Sequence, residues 1–188
     1  MDGNWPEIVR SRRLYLGVAF LFMTIWLVAR AYTIWPMIFS DPDHPRLSGA
    51  DSYYHLRHAE AVLHDYPKLM RFDNMSYFPT VERGLNQGFY DILVATLSKM
   101  TFEAVSPQQI LTWLAALLTG FSALVWAYFL SRKESPWCGL VFLLLILSFP
   151  GPIAQVANIG NGDHHGWELF LQTFLLFSLT WALRDDAP

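Results

Sequence analysis

Residues 14–39, LYLGVAFLFMTIWLVARAYTIWPMIF, hold one charge, Arg30, in an otherwise apolar or uncharged run. A helix crossing the hydrocarbon of a bilayer needs about 20 mostly apolar residues. This stretch is long enough, and it decides that the chain is to be read as a membrane protein. Arg10, Arg12 and Arg13 precede it, as in a signal peptide. The run is too long for a signal-peptide core and no small-residue cleavage site ends it, so a retained anchor is expected, with the arginines on the cytoplasmic side.

The whole composition agrees. Of 188 residues, 53% are hydrophobic and 15% charged, and the mean hydropathy is +0.26. Soluble domains are nearer a quarter charged. A net charge of -3 and the absence of a polybasic run or basic-aromatic stripe argue against nucleic acid as a partner. The one cysteine, Cys138, excludes an intramolecular disulfide.

Three further segments read as spans. The expected order is a cytoplasmic N-terminus (1–13), transmembrane 1 (14–39), extracytoplasmic loop 1 with amphipathic helices (40–107) and transmembrane 2 (108–131). A cytoplasmic loop (132–135), transmembrane 3 (136–157), extracytoplasmic loop 2 (158–166), transmembrane 4 (167–183) and a cytoplasmic end (184–188) follow. Ser106 and Pro107 make a helix-start pair before the second span. Arg132, Lys133 and Arg184 fall on the same side as the N-terminal arginines, which the positive-inside rule makes cytoplasmic. Two polar clusters, ADSYYHLRHAE from Ala50 and NGDHHGWE from Asn161, then emerge on the opposite face.

In the first loop, SYYHLRHAEAVLHDY has helical spacing, with Tyr54, Leu56, Ala59, Val62 and Leu63 as its apolar positions, and QGFYDILVATLSKM reads as a second helix. Asp51 fits an N-cap ahead of the first of these. Equally, Asp51, His55 and His58 lie at i, i+4 and i+7 and can share a face toward a cation. Histidines at such spacing are common on surfaces, so these three alone do not define a metal site. Asp163 and His165 are two apart and point the same way only in a non-helical segment, which Gly160, Gly162 and Gly166 favour. They read either as a ligand pair for a divalent cation or as a helix cap beside solvated histidines. Arg30 is a functional candidate as an intramembrane charge, or it snorkels to the interface.

GADSYYHLRHAE after the first span, YFPTVERG and YDIL in the long loop, and GDHH before the fourth span together resemble the catalytic subunit of oligosaccharyltransferase, in its single-subunit archaeal and bacterial form. The resemblance runs over nearly the whole chain in one order. It implies an all-α membrane protein, the N-terminal part of a GT-C-like transmembrane bundle with about four spans and a long helical first outer loop. The implied reaction moves an oligosaccharide from a polyprenyl-linked carrier to the asparagine of an Asn-x-Ser/Thr sequon on an acceptor polypeptide. The implied cofactor is Mn²⁺ or Mg²⁺ and the implied location a prokaryotic plasma membrane, with the active face extracytoplasmic. Asp51 matches the first-loop acid, which in the family is also held to engage the acceptor amide. Asp163 and His165 match the second-loop ligand pair. Arg57 and His164 are candidates for supporting the site or binding substrate.

The family's W-W-D-Y-G motif and later outer-loop glutamate have no counterpart here, and GLNQG replaces a proline-rich stretch before YDIL. A C-terminal half or partner subunit is therefore expected to complete catalysis. The alternative reading is an inactive membrane module that binds a polyprenyl-linked glycan or a partner subunit. A metal transporter is disfavoured, because spans two to four carry no deep acid or histidine.

Overall fold

The computed structural model describes residues 12–41, 43–70, 72–73, 82–83, 88–133, 135–148 and 158–182. Helix dominates: α1 (Arg12–Ile38), α2 (Ala50–His64), α3 (Gly88–Met100), α4 (Pro107–Lys133), α5 (Pro136–Ser148) and α6 (His165–Ala182). A ladder of two residues per strand, β1 (Phe72–Asp73) against β2 (Glu82–Arg83), is antiparallel. Nothing in the sequence patterning anticipates it, because two-residue strands leave no period to read.

Two of these helices are long and apolar enough to cross a membrane, over Leu14–Ile38 and Pro107–Ser131. With 27 residues each, α1 and α4 are about 40 Å long. Phe20, Leu21, Ile25 and Val28 lie exposed along α1, as suits a helix facing lipid. The apolar part of α5, Trp137–Ile146, is shorter. Much of the expected third span, 149–157, lies outside the described residues, as does most of YFPTVERG.

The chain divides into two compact units. One comprises Met1–Thr33, Ala116–Asn158 and Gly166–Pro188. Its core joins Tyr15 and Ala19 of α1, Ala123 and Ala127 of α4, and Leu143 of α5. Small residues let the helices approach closely where apolar burial gives little drive between them. A Cβ on Gly139 would strike the backbone carbonyl of Ala127, so α4 and α5 meet backbone to side-chain-free backbone. The indole of Trp126 donates to Thr173 Oγ1 at 3.3 Å and ties α4 to α6. Arg30 is half-buried and donates to Asn158 Oδ1 at 2.8 Å, its guanidinium 5.5 Å from the ring centroid of Trp26. It thus has a defined polar partner about two turns before the end of its helix.

The second unit comprises Ile34–Ala115 and Ile159–His165. α2 packs against α3, and Leu56, Ala59 and Val62 of the first and Val94 and Ala95 of the second are buried. The first turn of α4 is a reciprocal capping box. Gln109 N–H donates to Ser106 Oγ at 3.2 Å, and Ser106 N–H to Gln109 Oε1 at 2.9 Å. Pro107 sits where a missing N–H costs nothing.

Candidate metal centre

The buried face of α2 is wider than the one its apolar residues outline. Ser52, His55, Leu56, His58, Ala59 and Val62 are all buried, so both histidines belong to the core side. Asp51 is exposed in the first turn. The N-cap position falls to Gly49, at φ 81°, without a side-chain cap hydrogen bond. A carboxylate in that first turn still complements the helix dipole.

Burying two imidazoles requires partners, and α3 supplies one. Asp91, 1% exposed, sits beside His55, with Oδ1 2.7 Å from His55 Nδ1. Its Oδ2 is 3.6 Å from His58 Nδ1. Tyr54 lies over His58 with ring centroids 4.2 Å apart, and Tyr90 meets His55 edge-on at 5.0 Å. The Tyr90 hydroxyl is buried without a hydrogen bond. Burial first, then the charges of Asp163 and Asp91, raise its pKa well above the ordinary value of 10.0.

The segment 159–165 approaches from the other side, and its backbone is fastened at several points. Gly160 N–H donates to Thr112 O at 2.7 Å, Gly160 O accepts from Ser48 N–H at 2.8 Å, and Gly162 N–H donates to Ser52 Oγ at 2.9 Å. Gly160 has φ +86°, where a side chain is strained. A Cβ on Gly162 would lie 3.0 Å from Leu111 Cβ. The glycines are therefore needed for fit as well as for freedom.

This fastening delivers Asp163 and His164 to His55. His164 Nδ1 is 3.1 Å from His55 Nε2 and 2.7 Å from Asp163 Oδ1. The second distance lacks hydrogen-bond geometry, and Asp163 Oδ1 is a buried acceptor without a hydrogen bond. Ligand-type atoms of His55, Asp163 and His164 all lie within 4.8 Å of one another. An unsatisfied buried carboxylate oxygen facing two imidazole nitrogens is a donor set that a divalent cation fits.

Of the residues expected from sequence, Asp163 and His164 stand in this group. His165 is 52% exposed, its Nε2 3.6 Å from Asp163 Oδ2. Asp51 stands one helical turn before His55, outside the group. Arg57 is half-buried, its guanidinium 5.9 Å from the Tyr54 ring centroid. The joining of His55 to this group, and Asp91 behind it, escaped the sequence reading. Their signals were present as the HLRH spacing and the acid of YDIL, but nothing in sequence pairs one with the other.

A family model described as oligosaccharyl transferase STT3, N-terminal, matches residues 18–187. The chain is 27% identical over 179 residues to dolichyl-phosphooligosaccharide-protein glycotransferase 3 of Archaeoglobus fulgidus, covering 91% of this chain and 20% of that protein. It is 26% identical over 169 residues to the Haloferax volcanii dolichyl-monophosphooligosaccharide–protein glycotransferase AglB, covering 87% of this chain and 16% of the relative. The crystal structure of the A. fulgidus oligosaccharyltransferase in its apo form matches 93% of this chain and 21% of that one, with a TM-score of 0.76 and 22% identity. The helical fold is that of the corresponding part of the archaeal enzyme, and the chain spans a fifth or less of the length of the curated relatives it matches.

Proposed function

The chain belongs to the oligosaccharyl transferase STT3 family through that family's N-terminal region, and on that premise we propose that it forms the metal-binding membrane part of an N-glycosylation glycosyltransferase. The reaction is transfer of a lipid-linked oligosaccharide to asparagine in an Asn-x-Ser/Thr sequon. The spans carry it as a multi-pass protein of a prokaryotic plasma membrane, with residues 40–107 and 158–166 on the extracytoplasmic side. A C-terminal half or partner subunit completes the site.

One observation carries the reading: a buried, unsatisfied Asp163 oxygen converges with imidazoles from segments 109 residues apart. Such an arrangement costs free energy unless a cation or proton satisfies it. Asp163 is common to two ligand sets: Asp51–Asp163–His165, from the family resemblance, and His55–Asp163–His164, from the geometry. Bound there, Mn²⁺ or Mg²⁺ would neutralise the charge developing on a phosphate leaving group. The imidazoles tilt the choice toward Mn²⁺, since Mg²⁺ prefers all-oxygen shells. In this reading, which for Asp51 rests on the family resemblance, the Asp51 carboxylate holds an acceptor amide, whose nitrogen is a poor nucleophile until oriented and polarised. Arg57, and His164 if it is not a ligand, support the substrate's phosphate.

The test is Mn²⁺ binding to the detergent-purified chain, native against Asp163→Asn, Asp51→Asn, His55→Gln, His164→Ala and His165→Ala. Asp163→Asn is expected to weaken binding at least tenfold, about 1.4 kcal/mol, with the fold intact. Comparison of the other four decides between the two ligand sets. Binding that is indifferent to Asp163 would sink the reading.

A further inference from the structure

We propose that Asp91 is a positioning residue. It holds His55 in the tautomer with its proton on Nδ1, so that the Nε2 lone pair is presented to Asp163 and His164. The inference rests on the metal reading of that site and deepens it, because it assigns a role to an acid that the ligand sets leave out.

The geometry carries it. Asp91 is one of the most deeply buried polar residues of the second unit, at 1% exposure. Its Oδ1 lies 2.7 Å from His55 Nδ1, and a carboxylate, which can only accept, holds the ring with that nitrogen as the donor. Tyr90, the neighbour of Asp91 on α3, closes on the ring edge-on, at 85°. The opposite nitrogen, Nε2, is then the acceptor, and it is the one directed at His164 Nδ1, 3.1 Å away. An imidazole that donates one N–H to a carboxylate presents its other nitrogen, more basic, to a metal, and losing such a carboxylate typically weakens binding by about 10–100-fold. A buried pair serving packing alone would need no particular nitrogen on the far side.

The experiment uses the full 188-residue chain in detergent, with ¹⁵N-labelled histidine, natively and as Asp91→Asn. Long-range ¹H–¹⁵N spectra at neutral pH read the tautomer of His55, assigned by its loss in His55→Gln. Mn²⁺ paramagnetic resonance reads binding. Asparagine keeps the shape of Asp91 but can turn its amide N–H₂ toward Nδ1.

Native His55 is expected to carry its proton on Nδ1. In Asp91→Asn the proton moves to Nε2 and Mn²⁺ affinity falls at least tenfold. A native His55 protonated on Nε2 or on both nitrogens overturns the proposal, as does a variant that binds Mn²⁺ like the native chain. Should Asp91→Asn not fold, the native tautomer decides. Should the native chain bind no Mn²⁺, the metal reading fails by itself, and the tautomer shift alone decides whether Asp91 orients His55.

Discussion

The amide of Gly162 donates to the hydroxyl of Ser52 across 2.9 Å of space and 110 residues of chain. Ser52 in turn donates to Ser48 O at 2.6 Å, one turn back in the same segment. The hydroxyl therefore acts both ways, as donor to one stretch of backbone and acceptor from another. Through it, the loop carrying Asp163 is registered against the helix carrying His55.

Ser52→Ala removes that acceptor and leaves a buried N–H unsatisfied. A loss of about 1–3 kcal/mol is expected. Amide exchange in the segment 159–165 should quicken more than in α3. A lower melting temperature with unchanged exchange around Gly162 would contradict the registering role.

Gly160 has φ +86°, and a Cβ there would lie 2.5 Å from Ile38 Cδ1. Gly160→Ala is expected to cost about 1–2 kcal/mol from backbone conformation alone. Trimming the neighbour with Ile38→Val relieves the contact but not the conformational cost, so the double variant should recover only part of the loss. Full recovery in denaturant titrations would place the whole effect in the clash.

Tyr90 carries a buried hydroxyl without a hydrogen bond. Tyr90→Phe should leave stability unchanged or slightly raised at neutral pH, because no satisfied bond is lost. The same residue predicts a pH dependence. Its pKa in the folded chain is raised above 10.0 by burial first and by Asp163 and Asp91 next. The unfolded chain then releases this proton at lower pH than the folded one. Its contribution is complete below about pH 10 and declines as pH rises above that value. Tyr90→Phe should flatten that alkaline decline, measured as melting temperature against pH. An identical decline in both chains would assign it to other groups.

Gly139 lies where a Cβ would meet the Ala127 carbonyl and the Tyr15 side chain. Gly139→Val should push α5 from α4 and destabilise the first unit by about 1–3 kcal/mol, as overpacking does. Phe20→Ala, at a position 62% exposed, serves as the comparison and should change thermal stability in detergent far less. Equal effects would remove the close crossing as a determinant of this unit.

Much of the fold was legible in the residues. The 14–39 run, the Ser106–Pro107 start and the spacing of Leu56, Ala59 and Val62 each state a local preference that the helices obey. The same patterning misjudged one face. His55 and His58 read as polar, and Asp51 as a cap, yet the histidines turn inward and the cap falls to Gly49. Polarity is a poor guide to burial where a neighbouring acid can satisfy the group, and that acid, Asp91, is 36 residues away from His55.

By itself the sequence determined the helical periods, the apolar lengths, the glycines around Asp163 and the family that the ordered motifs point to. These depend on neighbours three or four residues apart, or on composition. Only the tertiary structure decided which imidazoles meet Asp163 and which carboxylate stands behind them. Those contacts join α2, α3 and the 159–165 segment, and they are set by close-packed backbone: Gly160 against Thr112 and Ser48, Gly162 against Ser52. A linear pattern records which residues can ligate a cation. Their convergence depends on long-range packing, where buried polar groups must find partners or cost the fold its stability.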